Sequence, residues 1–124
     1  MKVTGSGYRV VYDSETATIT FAGTMRLLGE DGYGLVRRLL DDVVAEKAQA
    51  ITMDIRRLEF LNSRGMALVT RFMMDLRSLT TCQITVHGAT RHRWQVRWLR
   101  NMEKLVPEMW VDLEQGDQRR DPGE

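Results

Sequence analysis

The chain has one cysteine, two prolines and two histidines in 124 residues, and each scarcity closes a route. A single thiol, Cys82, forms no internal disulfide, so the core must hold without covalent staples, and the expected compartment is a reducing one, the cytoplasm. His87 and His92 have no cysteine or carboxylate cluster around them in the sequence, so no metal-ligand set is expected. Neither sign of charge dominates: 18 Lys and Arg stand against 17 Asp and Glu, a formal +1, so the whole-molecule field neither draws nucleic acid nor repels it. No apolar run approaches the ~20 residues of a membrane span, and residues 1–8 lack the apolar core of a secretory signal. Also missing are a glycine-rich phosphate loop, a Gly-x-Ser-x-Gly elbow and a histidine placed for Cys82. No catalytic constellation or cofactor is therefore expected.

What is present is enough apolar residue, 43%, for one domain with a single core. Residues 8–12 and 16–22 read as strands joined by the turn formers Asp13, Ser14 and Glu15. Ala17, Ile19 and Phe21 alternate with threonines, which predicts an opening β-hairpin with one buried face. Gly23 is expected to end it. Leu35, Val36, Leu39, Leu40, Val43 and Val44 then form one stripe of a 3.6-residue period, a helix beginning near Asp31. Residues 50–55 predict a short central strand buried on both faces. Asn62 and Ser63 are both good caps for the next helix, and Met66, Val69, Met73 and Leu76 mark its apolar face. A strand over 83–87 ended by Gly88, a helix carrying Trp94, Trp98 and Met102 and closed by Pro107, and a last strand over 109–113 complete the chain. The order β-β-α-β-α-β-α-β implies an α/β fold with a mixed sheet and helices packed on it. The expected domain spans 8–113, with an N-terminal extension, 1–7, and a flexible C-terminal tail, 114–124.

Residues 51–65 read Ile-Thr-Met-Asp-Ile-Arg-Arg-Leu-Glu-Phe-Leu-Asn-Ser-Arg-Gly: a strand, a polar step, an apolar pair, then a helix start at Asn-Ser-x-Gly. This segment resembles the STAS family, shared by sulfate transporters and bacterial anti-sigma-factor antagonists, whose hallmark is a strand ending in Asp, an apolar pair and Asp-Ser-x-Gly before a helix. The element order matches that family over nearly the whole chain, with Gly23 and Gly88 at usual turn positions. The resemblance implies a STAS-like fold and a non-enzymatic signalling role, in which the motif serine, here Ser63, is phosphorylated by a partner kinase and its state selects the partner. Asn62, Ser63, Arg64, Gly65, Arg71 and Asp75 are then the expected partner-binding residues. A hydroxyl at a helix N-terminus suits this independently, because unpaired N–H groups and the positive dipole end tolerate a phosphate.

Two positions depart from the family pattern. Asn62 replaces an acidic residue, and Arg64 stands where small residues are common, placed either to hold a phosphate on Ser63 or to obstruct a kinase that expects a small neighbour. The alternatives are a Ser63 that is only a helix cap, in a constitutive accessory subunit docked on a transporter ATPase, and a nucleic-acid binder. The last rests on Arg91, His92, Arg93, Arg97, Arg100 and Lys104 interleaved with Trp94 and Trp98; the four-residue spacing of Trp94, Trp98 and Met102 favours a core stripe with a solvated cationic face instead. Asp54 is expected to act structurally, toward the loop that runs to Ser63. Met66, Met73 and Met74 are expected in the core.

Overall fold

Strands that follow one another in the chain also lie side by side. A computed structural model of the protein describes residues 1–79 and 81–115. Its elements are β1 (Lys2–Gly5), β2 (Tyr8–Asp13), β3 (Thr18–Met25), α1 (Gly29–Ala45), β4 (Ala50–Leu61), α2 (Ser63–Leu79), β5 (Gln83–Ala89), α3 (Arg93–Leu105) and β6 (Trp110–Glu114). The sheet order is β1-β2-β3-β4-β5-β6. The first three strands form an antiparallel meander, and β3, β4, β5 and β6 are mutually parallel, each joined to the next through a helix.

Sequential parallel strands linked by right-handed crossovers place every connecting helix on the same face. Burial follows this rule: Ile19, Phe21, Ile51, Met53, Ile84 and Val86 are buried against the helices, while their neighbours Thr18, Thr20, Thr52, Asp54, Thr85 and His87 stay partly exposed. The expectation of a central strand buried on both faces is thereby corrected. β4 has one dry side and one wet side, and among the described residues no element covers the wet one. Threonine suits that position, since its β-branch favours the strand and its hydroxyl tolerates water.

Three further boundaries differ from the sequence reading. Residues 1–7, expected to precede the domain, supply β1, which pairs with β2 from Lys2↔Val11 to Gly5↔Tyr8; Ser6 and Gly7 form the two-residue turn, with Gly7 at φ 81°. Gly23 does not end β3. It sits at φ 95° beside a register shift, and the strand continues to Met25. Gly88 likewise lies inside β5, buried where a Cβ would come within 2.9 Å of the Gln95 side-chain oxygen. The expected tail lies outside the described residues from 116 onward.

The largest departure is β4 itself, which runs 12 residues where six were expected. β5 pairs with it only through Asp54↔His87, so its later carbonyls lose their ladder partners on that side. Side chains from the start of α3 replace them. Gln95, fully buried, donates from Nε2 to the carbonyls of Ile55 (2.6 Å) and Leu58 (2.9 Å) and accepts from the Ala89 N–H (2.9 Å). Arg91 Nη2 donates to the Arg56 carbonyl at 2.8 Å, His92 Nε2 lies 3.2 Å from the same oxygen, and Trp94 Nε1 donates to Glu59 at 2.8 Å. Trp98 and Met102 are core residues, as their spacing predicted, and Met66, Met73 and Met74 all pack in or against the core.

Replacing Gln95 with Leu keeps the volume but orphans two buried carbonyls and one N–H. At about 1–3 kcal/mol for each unsatisfied buried group, Gln95→Leu is expected to lower stability by at least about 3 kcal/mol, read as a shifted urea midpoint. An unchanged midpoint would show that these groups are satisfied some other way.

Candidate partner-binding site at the start of the second helix

β4 delivers the chain directly into α2, and Asn62 is the joint. Its carbonyl accepts the first helical bond, from the Met66 N–H at 2.9 Å, and its Oδ1 accepts from the Gly65 N–H at 3.0 Å, the arrangement of an N-cap residue. Tyr33 of α1 donates its hydroxyl to the same Oδ1 at 2.7 Å, and Asn62 Nδ2 donates to the Leu27 carbonyl at 2.9 Å. One amide thus ties β4, α2, α1 and the loop before α1 together. The departure from an acidic residue acquires a physical reason here, because a carboxylate has no N–H to give Leu27. Burial pushes the Tyr33 phenol above its ordinary range, which keeps it a donor.

Gly65 is required by the same packing. A Cβ there would meet Leu61 and come within 2.6 Å of the Tyr33 hydroxyl. The cost of glycine in a helix, about 1 kcal/mol relative to alanine, is accepted so that Tyr33 can reach the cap.

Ser63 is the first residue of α2, and the capping reading of it is corrected: Asn62 holds that role. The Ser63 side chain is exposed and has no hydrogen-bond partner among the described residues. Arg64 beside it is exposed as well, and its guanidinium is likewise unpartnered among the described residues. Further along the helix Arg71 and Asp75 form an exposed pair at 3.9 Å; at helical spacing Ser63, Arg64, Arg71 and Asp75 share the outward face. Of the six residues read from the sequence, four point outward, while Asn62 and Gly65 hold the backbone beneath them.

Apolar residues that the sequence reading did not assign to a site flank this start. Leu28, 79% exposed, follows the Leu27 whose carbonyl Asn62 engages; elsewhere on α1, Leu35 is exposed as well. Phe60, at the end of β4, carries the Arg26 guanidinium 4.7 Å over its ring. Leu35 occupied the apolar stripe of α1 in sequence and gave no sign of facing out.

The remaining candidates lie elsewhere. Asp54 does not reach the Ser63 loop, since β4 runs seven residues past it; it stands on the open sheet face and pairs with Arg56 at 2.9 Å. Burial opposes its ionised form, but the Arg56 hydrogen bonds and charge outweigh that and hold its carboxyl below the usual range. His87 pairs with Asp112 at 3.3 Å, and among the described residues no group of His, Cys, Asp and Glu is placed to hold a metal ion. In the basic segment Arg91, His92 and Trp94 serve β4, while Arg93, Arg97, Arg100 and Lys104 line an exposed groove on α3.

No family model matches the sequence, and no curated protein does. Solved structures do match in shape. One chain of the crystal structure of the diguanylate cyclase SiaD in complex with its activator SiaC, from Pseudomonas aeruginosa, superimposes with a TM-score of 0.69 at 11% identity, over 92% of this chain and 99% of that one. An anti-sigma factor antagonist from Mycobacterium paratuberculosis gives 0.63 at 16% identity, over 86% and 88%. The chain carries a STAS-like fold. SiaC of Pseudomonas aeruginosa alone agrees, at 0.63 and 12% identity over 93% and 95%. At such identities the likeness is one of architecture, and the STAS-like domain described here also keeps, at Asn62–Gly65, the strand-to-helix joint on which the sequence resemblance rests. Among the described residues no helix is long and apolar enough to cross a membrane.

The joint makes a graded prediction. Asn62→Asp retains the cap but loses the Leu27 bond, and is expected to cost about 1 kcal/mol; Asn62→Ala removes cap, Tyr33 acceptor and Leu27 donor together, and about 2–3 kcal/mol is expected. Denaturant melts of the two variants check the order, and equal losses would contradict the distinct role given to Nδ2.

Proposed function

We propose that this STAS-like domain is a non-enzymatic regulator that binds a protein partner through the start of α2 and is switched by phosphorylation of Ser63. The observation that carries this reading is the division of labour at the joint. Asn62 does the capping, so the Ser63 hydroxyl is left exposed on a helix N-terminus with no structural task among the described residues. A phosphate there meets the free N–H groups and positive dipole of the first helical turn without displacing the cap. Arg64 adds a cation within one residue, and guanidinium groups pair well with phosphate.

The same surface suits a protein partner. Leu28 and Phe60 offer apolar contact near the start of α2, whose outward face carries the charged Arg64, Arg71 and Asp75, the mixture of apolar centre and polar rim found in protein interfaces. A dianion added at its middle disfavours docking through desolvation and repulsion of any acidic partner group. The structures of similar fold lend support, one an activator bound to its cyclase and one an anti-sigma factor antagonist. A serine kinase of the anti-sigma type is the expected partner class, in the cytoplasm of a bacterium.

Wild type, Ser63→Ala and Ser63→Asp used as baits in lysate of the native host test the switch. The expected result is one ATP-binding protein held by wild type and the alanine variant and lost, by at least about tenfold, with aspartate; that protein with ATP should phosphorylate wild type only. Capture of the same proteins by all three baits would overturn the switch and favour a constitutive subunit of a transport assembly.

A further inference from the structure

The wet face of the sheet has a depression of its own, far along β4 from Ser63. It has a volume of about 380 Å³ and is lined by Arg9, Thr20, Asp54, Arg56, Arg57, Arg91 and Glu114. Four guanidinium groups from β2, β4 and the β5–α3 loop converge there with two carboxylates. We propose that this depression is a binding site for small phosphorylated ligands, with Arg9 and Arg57 as the groups that grip the phosphate.

A bulge builds it. Thr20 pairs with Asp54 and Ala22 with Arg57, so three residues of β4 pass two of β3. Ile55 and Leu58 both point into the core, which turns Arg56 and Arg57 together onto the wet face. In register, Arg9 and Arg57 lie on either side of Ala22, about 10 Å apart across two strand spacings. The methyl group between them leaves room for both side chains to bend over it.

The two kinds of arginine differ in employment. Arg56 donates from Nε and Nη2 to Asp54 at 3.0 and 2.9 Å, and Arg91 donates to Glu114 and to the Arg56 carbonyl at 2.9 and 2.8 Å. These two are fixed as walls. Arg9 and Arg57 have no hydrogen-bond or ion-pair partner among the described residues. Two free forks favour phosphate over carboxylate: one guanidinium meets both oxygens of a carboxylate face-on, whereas a phosphate monoester has three terminal oxygens, more charge and a tetrahedral shape that two forks can grip from different sides. Four arginines against two carboxylates leave the lining with a formal charge of two positive, which a monoester dianion neutralises. Thr20 supplies a further donor hydroxyl. The proposal is independent of the switch at Ser63.

The test is an NMR titration of the full chain with inorganic phosphate and with glycerol 3-phosphate, chloride holding the ionic strength constant, read at the arginine Nε–H resonances. Saturable shifts are expected at Arg9 and Arg57, with each of Arg9→Ala and Arg57→Gln weakening binding about tenfold at an unchanged melting temperature. Arg97→Ala on α3 and Ser63→Asp should leave the affinity as in wild type. Absence of saturation with both ligands, equal weakening by Arg97→Ala, or indifference to Arg57→Gln would overturn the site. If Arg9→Ala fails to fold, Arg57→Gln decides. Saturation by a phosphoserine peptide but by neither small phosphate would overturn the small-ligand assignment.

Discussion

Everything at the motif depends on how β4 satisfies its backbone after β5 leaves it. A strand that loses its neighbour midway through a sheet exposes carbonyls to a dry interior, and each one left bare costs on the order of 1–3 kcal/mol. Here the start of α3 stands in for the missing strand. Gln95 bonds to Ile55, Leu58 and Ala89, and Arg91, His92 and Trp94 cover Arg56 and Glu59. Because those side chains take over, β4 can run on to Leu61 and hand the chain to α2 at a fixed place. Asn62 then locks that place to α1 and to the preceding loop. Ser63 stands on the surface because the residue before it and the strand behind it are held.

Much of this architecture is written in periodicities. The alternation of Ile19 and Phe21 with threonines, the helical stripes from Val36 to Val43 and from Val69 to Leu76, and the Trp98–Met102 spacing each report burial by local pattern, and burial in the structure agrees; Leu35, read into the first stripe, is the exception and is exposed. What escaped lies where the local pattern is broken for a distant reason. Arg56 and Arg57 interrupt the two-residue period and read as the end of a strand; they lie in a bulge where the carbonyls of Ile55, Arg56 and Leu58 are completed by residues 35 to 40 positions later in the chain. Gly23 reads as a terminator because glycine usually is one, whereas here it permits a left-handed residue inside a continuing strand. β1 has only Val3 to pack against the core and no apolar alternation to betray it, so its pairing with β2 is what defines it as a strand.

The site was legible in the same uneven way. The Asn-Ser-x-Gly spacing located the helix start and its candidate serine. Which of Asn62 and Ser63 caps the helix was not decidable from residue type, since both are good caps; Tyr33 and Leu27, 29 and 35 residues away, settle it by needing an acceptor and a donor from one side chain. Gly65 follows from Tyr33 rather than from any turn. The exposed Leu28 and Phe60 had no signal in the sequence, because apolar residues at element ends read as core until their neighbours are known.

The sequential strand order gives the molecule two unlike surfaces. Parallel strands ordinarily lie between two helical layers, but three crossovers of one hand put all three helices on one side and leave the other face wet. The helical side needs an unbroken apolar lining against the sheet, so its polar side chains are confined to the outward faces and ends of the helices, where Ser63 sits. The wet face carries no such demand, and its threonines, arginines and carboxylates stand on rigid strands rather than on loops. The bulge in β4 serves both at once: the extra residue that turns Arg56 and Arg57 outward also frees the carbonyls that Gln95, Arg91 and His92 bind, and so fixes the path of the strand toward Asn62. A substitution that straightened the bulge would slip the register by one residue and turn the later side chains of β4 to the opposite face. The arginine cluster and the position of the serine are for that reason one structural decision, made in residues 55–58.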